Sequence, residues 1–316
     1  MAQAVGMGWS RRRWLTGSAA LATTGALSLT GGLAACGRKA PVRTTAPAPK
    51  PGGATAVDPN HPDALAAAVA GPWRTATDKR RDVWRHPAET LAFFDVKPGA
   101  TVVELWPGSG WYTQILAPFL AATGGKLYAA QLQTPSADDP ASAQVVDDFR
   151  TRFTAKPALY GKPEITTFGP TSGPLCPQGT ADAVLFLRNF HNWMGAGLAE
   201  KVLKDALAAL KPGGVLGVEE HRASDGGAQD PLAATGYVQQ RYLVQLAQEA
   251  GFKLEAASEI NANPKDDHDH PFGVWTLPPT RRSSPRGQVP NPKFDQRPYD
   301  AIGESDRMTL RFRKPA

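Results

Sequence analysis

Cysteine is scarce throughout this 316-residue chain, and acidic residues are absent from its first 57 positions. The first scarcity bears on disulfide bonds, and the second bears on the charge of the remaining residues. The two cysteines, Cys36 and Cys176, provide no disulfide framework if one of them has another use. Residues 1–57 contain no Asp or Glu but hold seven Lys and Arg, which leaves a net charge of about −1 for the rest of a chain of net charge +6. The body of the chain is therefore near neutral, and its charge does not indicate a nucleic-acid partner.

A long uninterrupted apolar run is also absent from the amino-terminal region. Residues 15–35 are small and apolar but contain four glycines and several Ser and Thr, which makes them too weakly apolar for a transmembrane helix. Arg11, Arg12 and Arg13 stand before this run, an arrangement typical of the charged and apolar regions of an export signal. The arginines resemble a twin-arginine (Tat) signal. Residues 33–36, Leu-Ala-Ala-Cys, resemble a lipobox.

These resemblances imply cleavage before Cys36 and acylation of its sulfur, which would tether the chain to a membrane. The alternative is an uncleaved apolar anchor with an accidental cysteine. We interpret residues 1–35 as the signal peptide, 36–57 as a flexible Pro/Ala/Gly tether, and 58–316 as the folded domain. The expected location is the periplasm, as a membrane-anchored lipoprotein. Gly37 in place of Asp after the lipidated cysteine favours the outer membrane.

Strand and helix patterns alternate through the folded domain. Helical spacing of apolar residues is found over 111–120, 141–153, 198–210 and 237–250. The sequence predicts strands over 101–105, 126–131, 164–168, 181–187, 215–218, 252–257 and 308–312. This order predicts an α/β fold with a Rossmann-like, doubly wound, mostly parallel seven-stranded sheet and an antiparallel edge strand. Residues 261–307 would be an insertion between the last two strands, and so long a loop is usually functional or disordered.

A glycine-rich turn follows the first predicted strand, which carries Glu104. The turn is Trp-Pro-Gly-Ser-Gly at 106–110, and a helix follows it. Glycine allows a ligand to approach the backbone, and the helix beyond offers unpaired N–H groups and a positive dipole end. This order predicts a ligand site at the turn. The alternative is a tight turn without a ligand.

Three segments give the chain a resemblance to class I S-adenosylmethionine-dependent methyltransferases. They are VVELWPGSGWYT at 102–113, LKPGGVLGVEEHR at 210–222 and AGFKLEAAS at 250–258, and the resemblance covers about 88–316. A closer resemblance is to exported bacterial proteins predicted to be methyltransferases, through PGSGWYTQILAP, LRNFHNW, NPKDDHDHP and LRFRKP. The resemblance implies an S-adenosylmethionine cofactor, with Glu104 near its amino group. The residues implied to bind it are Glu104, Pro107, Gly108, Ser109, Gly110, Trp111, Tyr112 and Gln131.

Two positions depart from the methyltransferase pattern. Trp106 stands where the first of three glycines is expected, and Gln131 stands where Asp or Glu usually holds the ribose hydroxyls. An amide still hydrogen-bonds a hydroxyl, but without the strength that a charge adds. Trp111 and Tyr112 would wall the methionine end of the cofactor or pack under the sheet.

Candidate catalytic residues follow the fourth and fifth strands, because ligands of doubly wound sheets bind at the carboxyl ends of strands. His191 is a candidate base for a methyl acceptor, because imidazole is the side chain that most often takes up a proton in catalysis, with Asn189 to orient the acceptor. His221 would face the same crevice. The alternatives are that His191 caps the next helix, and that the Glu and Arg residues beside His221 form structural ion pairs.

The segment 266–270, Asp-Asp-His-Asp-His, has three interpretations. The favoured one is a solvated loop. The others are a divalent-metal site for hydrolysis and a lid over the crevice. We assign no metal ligands from the sequence, and we expect Cys176 to be an incidental free thiol.

Two functions are consistent with this pattern. The first is a methyltransferase of unknown acceptor, acting on a small molecule or an envelope component. The second is a non-catalytic small-molecule-binding lipoprotein that reuses the fold, because a fold alone does not fix a chemistry.

Overall fold

The computed structural model describes residues 63–133 and 140–316. The predicted export signal, the tether and the lipidation site Cys36 lie outside the described residues. Among the described residues, no helix has the length and apolar character needed to cross a membrane.

The described residues form one mixed sheet in the order β3-β2-β1-β4-β5-β8-β7, with β6 paired to β5 beside this path. Neighbouring strands are parallel except where β8 pairs with β5 and with β7. The strands are β1 Thr101–Leu105, β2 Lys126–Leu132, β3 Glu164–Phe168, β4 Ala181–Leu187, β5 Leu210–Ala223, β6 Val238–Gln239, β7 Lys253–Ser258 and β8 Arg307–Arg313.

The predicted fold class, a mostly parallel doubly wound sheet with an antiparallel strand at one edge, is confirmed. The antiparallel strand β8 lies second from that edge, with β7 outside it. The short strand β6 is additional to the seven that were predicted. β5 is longer than predicted, because Lys211–Gly214 continue it instead of only closing the preceding helix. Lys314 pairs with Gly213 and Gly214 through backbone hydrogen bonds and extends the ladder there.

Helices cover both faces of the sheet. Alternate side chains of β1 and β4 enter two separate apolar clusters, one on each face. One cluster contains buried residues of α8–α10, and the other contains residues of α1 and α4–α7. The helices are α1 Ala64–Ala70, α2 Ala76–Lys79, α3 Asp82–Arg85, α4 Pro87–Phe93, α5 Thr113–Thr123, α6 Pro140–Thr154, α7 Pro157–Tyr160, α8 Phe190–Gly195, α9 Ala199–Ala209, α10 Gln240–Glu249 and α11 Arg297–Ile302.

Residues 259–306 connect β7 to β8 and fold back over the carboxyl ends of the strands. They contain a 3-10 helix, Gly273–Thr276, and α11. The ring of Trp275 lies 5.8 Å from that of His191, which follows β4. Asn261 donates to the hydroxyls of Thr90 and Thr309 at 2.9 and 3.0 Å, which fixes the start of the segment to α4 and β8.

Candidate functional site

The loops after β1 and β4 meet at the carboxyl edge of the sheet. Trp106 and Arg188, the first residues after these strands, have φ of +45° and +59°, a conformation that non-glycine residues seldom adopt. The side-chain amide of Asn189 donates to the carbonyls of Trp106 and Leu187, at 3.0 and 3.2 Å. Asn189 therefore fastens the two loops together, and the predicted candidate lies at the crevice as a structural bridge.

The two glycines of the turn play different parts. A Cβ atom added to Gly108 would meet no heavy atom within 4 Å, so the turn is open there, beside the exposed Ser109. A Cβ on Gly110 would come within 2.3 Å of the Phe153 ring, so this glycine serves the packing of the turn against α6. Pro107 accepts the backbone hydrogen bond from Gly110 that closes the turn, at 2.9 Å.

Glu104 lies near the end of β1, just before this turn in the chain, with 2% of its surface exposed. The hydroxyl of Thr113, at the start of α5, donates to Oε2 of Glu104 at 2.7 Å. Burial raises the pKa of Glu104 to about 7, against the opposing effects of Thr113 and of the Arg188 charge. A cation placed beside this carboxyl would favour its ionised form.

Gln131 and Trp106, the two departures from the methyltransferase pattern, both have internal partners. Gln131 is buried at the end of β2 and donates from Nε2 to the carbonyl of Gly108 at 3.0 Å, which supports the turn from below. The indole of Trp106 donates to the carbonyl of Phe168 at 3.0 Å and packs against the rings of Phe168 and Trp193. Among the described residues, the side-chain carbonyl oxygen of Gln131 accepts no side-chain or backbone hydrogen bond.

Trp111 and Tyr112 pack into the molecule. The Trp111 ring is contacted by the guanidinium groups of three arginines, at 4.7–5.6 Å from its centroid: Arg74, Arg81 and Arg85. The buried Tyr112 hydroxyl donates to Oε2 of Glu219 at 3.2 Å. Of the two roles considered for this pair, these contacts indicate packing.

His191 is held by Glu220, a residue that the sequence did not single out as a site residue. Nδ1 of His191 lies 2.9 Å from Oε1 of Glu220, which also accepts the backbone N–H of His221. The other carboxylate oxygen accepts the backbone N–H groups of Phe190 and His191 at the start of α8. Glu220 therefore caps the helix and orients the imidazole, so that the Nε2 atom of His191 is left to act on a ligand.

His221 lies next to His191, and their ring centroids are 5.3 Å apart. Its Nδ1 atom is 2.6 Å from the hydroxyl of Ser305, at the end of the segment that crosses the edge. Burial, then the charges of His191 and Arg307, hold the pKa of His221 well below its usual value. His221 is therefore neutral at neutral pH, and the structure brings both candidate histidines together.

The Glu and Arg residues beside His221 form several ion pairs, but their partners lie elsewhere in the sequence. Glu219 is fully buried and pairs with Arg188 at 3.0 Å. It also lies 3.1 Å from Nε of Arg307, although the angle falls outside hydrogen-bond geometry. Arg222 pairs instead with Asp306 and Glu259.

Three side chains here have the spacing of a metal site, because His191, Glu220 and His221 offer ligand atoms within 4.8 Å of one another. Both oxygens of Glu220, however, already accept hydrogen bonds. The charges of Arg188 and Arg307 also act on His221 and oppose a cation. These contacts favour a His–Glu dyad with a neighbouring neutral imidazole.

The segment 266–270 is anchored, and the interpretation as a solvated loop is wrong for two of its five residues. Asp266 and His270 are 4% and 8% exposed, whereas Asp267 and Asp269 are exposed. Asp266 accepts from the Tyr237 hydroxyl at 3.0 Å and lies 2.8 Å from Nε2 of His270. It also accepts backbone N–H groups from His268 and Asp306. These contacts give Asp266 a structural role in holding the segment together. Asp266, Asp267 and His270 also have the spacing of metal ligands.

The functional neighbours that the sequence did not identify are Arg188, Glu220 and Ser305. Arg188 and Glu220 directly adjoin the candidates Asn189 and His221, so their positions at strand ends could have identified them. Ser305 lies 84 residues from its partner, and no local pattern indicates it. Cys176 is buried away from these groups, and burial raises the pKa of its thiol, which is consistent with an unreactive cysteine.

Comparison with known proteins gives similarities of fold alone. No protein-family model and no curated protein matches the chain. Solved structures with similar architecture include a SAM-dependent methyltransferase from Aquifex aeolicus, 18% identical, covering 59% of this chain and 92% of that chain with a TM-score of 0.46. A putative sarcosine dimethylglycine methyltransferase from Galdieria sulphuraria is 16% identical and covers 76% and 84%, with a TM-score of 0.48.

The cyclase SpnF is likewise 16% identical and covers 80% of this chain and 92% of that chain, with a TM-score of 0.48. These TM-scores are all below 0.5, so no residue role in this chain follows from the similarities.

Proposed function

We propose that this chain is an S-adenosylmethionine-dependent methyltransferase that acts on a small molecule or an envelope component. The observation that carries the proposal is the open turn at Gly108, which follows the strand that holds the buried carboxyl of Glu104. A buried acid at the end of a strand, followed by an unobstructed glycine and a helix, suits a polar ligand with a cationic group.

The donor set fits the amino-acid end of this cofactor. Glu104 would receive the amino group, and the open backbone at Gly108 and Ser109 would lie along the same part of the cofactor. Gln131 offers its remaining carbonyl oxygen to the ribose. When bound, the cofactor supplies an electrophilic methyl group on its sulfonium.

The acceptor side of the proposed site is the His191–Glu220 dyad. Glu220 accepts from Nδ1 of His191, so Nε2 is the nitrogen that can take a proton from an acceptor hydroxyl or amine. The neutral His221 and the ring of Trp275 flank this imidazole. The dyad would hold the acceptor in line with the methyl group, and such positioning supplies much of the rate of a transfer reaction.

The test is a calorimetric titration of the full chain with S-adenosylmethionine and S-adenosylhomocysteine. We expect micromolar binding that is lost in Gly108→Arg, because the new side chain fills the open turn. Gly179→Arg is the matched control, since Gly179 also has positive φ and open space around its Cα. Lack of binding to the parent chain at millimolar ligand would refute the proposal.

The same protein preparation tests the second function, that of a non-catalytic binding protein. Cofactor binding without methyl transfer to any acceptor in a screen of hydroxyl, amine and thiol compounds would favour it. Transfer that disappears in His191→Ala, with cofactor affinity unchanged, would support the enzyme.

We also propose that the chain is exported by the twin-arginine route and anchored in the outer membrane through an acylated Cys36. The support is the order of arginines, apolar run and lipobox at residues 11–36. Labelled palmitate should enter the protein in cells, and Cys36→Ser should abolish labelling while Cys176→Ser retains it. Labelling that survives Cys36→Ser would contradict the anchor.

A further inference from the structure

Arg188 lies at the carboxyl edge of the sheet. It is the first residue after β4, and its backbone N–H donates to the carbonyl of Glu219 on β5 at 2.7 Å. Its charge acts on Glu104 at the end of β1 and on His221 at the end of β5. In the sheet β4 lies between β1 and β5, so Arg188 follows the strand that separates the proposed cofactor side from His221 on the proposed acceptor side.

Arg188 ends a series of buried ion pairs in which guanidinium groups outnumber carboxylates. A series of ion pairs joins Arg85 to Glu304, Glu304 to Arg307, Arg307 to Glu219, and Glu219 to Arg188. This series holds three guanidinium groups and two carboxylates. Burial, then the charge of Arg188, lower the pKa of Arg85 to about 10, against the opposing effect of Glu304.

Arg188 is also the member of this series of ion pairs that retains contact with the crevice. Its side chain is 16% exposed, whereas those of Glu219 and Arg307 are 0% and 1% exposed. Among the described residues, only its Nη1 atom donates a hydrogen bond, to the two oxygens of Glu219 at 3.0 and 3.2 Å. The remaining nitrogens of a fixed planar fork are left for an outside acceptor.

The backbone adds a further observation. Arg188 keeps φ at +59°, a conformation that a non-glycine residue adopts only where its surroundings impose it. The ring of Tyr112, 5.7 Å from the guanidinium carbon, and Glu219 together fix the direction of the side chain. The fork is thus preorganised before a ligand arrives, which limits the entropy lost on binding.

We propose that Arg188 binds a carboxylate group of a ligand of this crevice. A carboxylate matches the fork in shape and carries the opposite charge. The carboxylate belongs either to the cofactor's amino-acid end or to the methyl acceptor. The proposal deepens the proposed function, and it rests on that function for the first of these two sources. The two sources predict different results in one set of titrations.

The experiment compares the full parent chain with Arg188→Lys, which keeps a charge for Glu219, and with the exposed control Arg281→Lys. Calorimetry measures affinity for S-adenosylhomocysteine and for its decarboxylated analogue. Thermal unfolding measures stabilisation by malonate and by benzoate, each with and without S-adenosylhomocysteine, against chloride at equal ionic strength.

If Arg188 holds the cofactor's carboxylate, the parent chain prefers S-adenosylhomocysteine to the analogue by about tenfold or more, and Arg188→Lys loses most of that preference. If it holds the acceptor's carboxylate, the preference is unchanged, but stabilisation by malonate or benzoate disappears in Arg188→Lys. In both cases Arg281→Lys behaves as the parent chain does.

The proposal is overturned if Arg188→Lys, folded with an unaltered Tm, matches the parent chain in both measurements. Failure of the proposed function has a different signature, since the parent chain then does not bind S-adenosylhomocysteine. The titrations without cofactor still test Arg188 in that case. If Arg188→Lys does not fold, the double variant Arg188→Met/Glu219→Gln, which removes both charges of the pair, takes its place.

Discussion

Glu104 experiences opposing influences from its surroundings. Burial favours the neutral acid, while Thr113 and Arg188 favour the carboxylate, and the resulting pKa is about 7. A carboxyl whose pKa is raised on folding contributes stability below its unfolded pKa, and that contribution is lost as the pH rises through 7. The binding of a cationic amino group has the opposite pH dependence. It strengthens as the pH rises, because it requires the ionised carboxylate.

We therefore expect the affinity for S-adenosylmethionine to increase about fivefold between pH 6 and pH 7, as the ionised fraction of Glu104 rises. Glu104→Gln should bind more weakly and without this pH dependence. Calorimetry at several pH values measures both effects, with the exposed Glu200→Gln as control. An unchanged pH profile in Glu104→Gln would exclude Glu104 from the cofactor site.

His191 provides a second prediction, which needs no acceptor. Because Nδ1 faces Glu220 at 2.9 Å, the neutral imidazole should carry its proton on Nδ1. Two-bond proton–nitrogen NMR spectra of the labelled chain distinguish the tautomers. Glu220→Gln should mix them, whereas Glu200→Gln should leave them unaltered. A proton on Nε2 in the parent chain would rule out the proposed base.

At the scale of elements, the segment from β7 to β8 depends on Asp266. Its carboxylate receives donors from Tyr237, His268, His270 and Asp306, so one side chain links distant parts of the segment. Asp266→Asn should lower the free energy of unfolding by about 2 kcal/mol or more, because buried donors lose a charged partner. Urea unfolding measures this loss, and exposed Asp267→Asn should change it by less than about 0.5 kcal/mol.

The strands could be predicted from sequence because each is a short apolar run bounded by turn residues, and β1, β3 and β4 have the predicted limits. The short helices before β1 were not predicted. Asp63 and Thr75 cap α1 and α2 locally, whereas α3 has no side-chain cap and is held by a distant contact, the bond between Arg85 and Glu304 across 219 positions. Lys211–Gly214 resemble a helix terminator, and they join the strand through distant partners, because Leu210 pairs with Ala181 of β4 and Lys314 bonds to Gly213 and Gly214.

The site divides in a similar way. The sequence located Glu104, Gly108, His191 and His221, because the motif and the strand ends mark them. It did not reveal which donors each of them meets. Burial of Asp266 could not be foreseen either, since a run of acids and histidines reads as solvated until Tyr237 and Asp306 are brought beside it.

At the scale of the whole molecule, buried ion pairs link the helices before β1 to the last strand. Although burial alone would raise it, Arg85 and Arg307 lower the pKa of Glu304 to about 2. A depressed pKa contributes stability above the unfolded value of 4.5, and this contribution is lost as the pH falls towards 2.

We therefore expect the urea midpoint to fall steadily between pH 4.5 and pH 2. Glu304→Gln should be less stable at pH 7 and should show a shallower decline in acid, because it has no carboxyl to protonate. The exposed Glu200→Gln keeps the slope of the parent chain. A parallel decline in Glu304→Gln would show that other carboxyls control acid unfolding.

The place of β8 has a consequence for proteolysis. β8 is hydrogen-bonded to β5 on one side and to β7 on the other, and residues 285–293 before it are exposed. A single cut after Arg286 would break the covalent connection but none of the strand pairings. The nicked chain should elute as one particle on gel filtration and separate into two pieces only in denaturant, so the fragment carrying β8 would behave as a tightly bound subunit of its own protein.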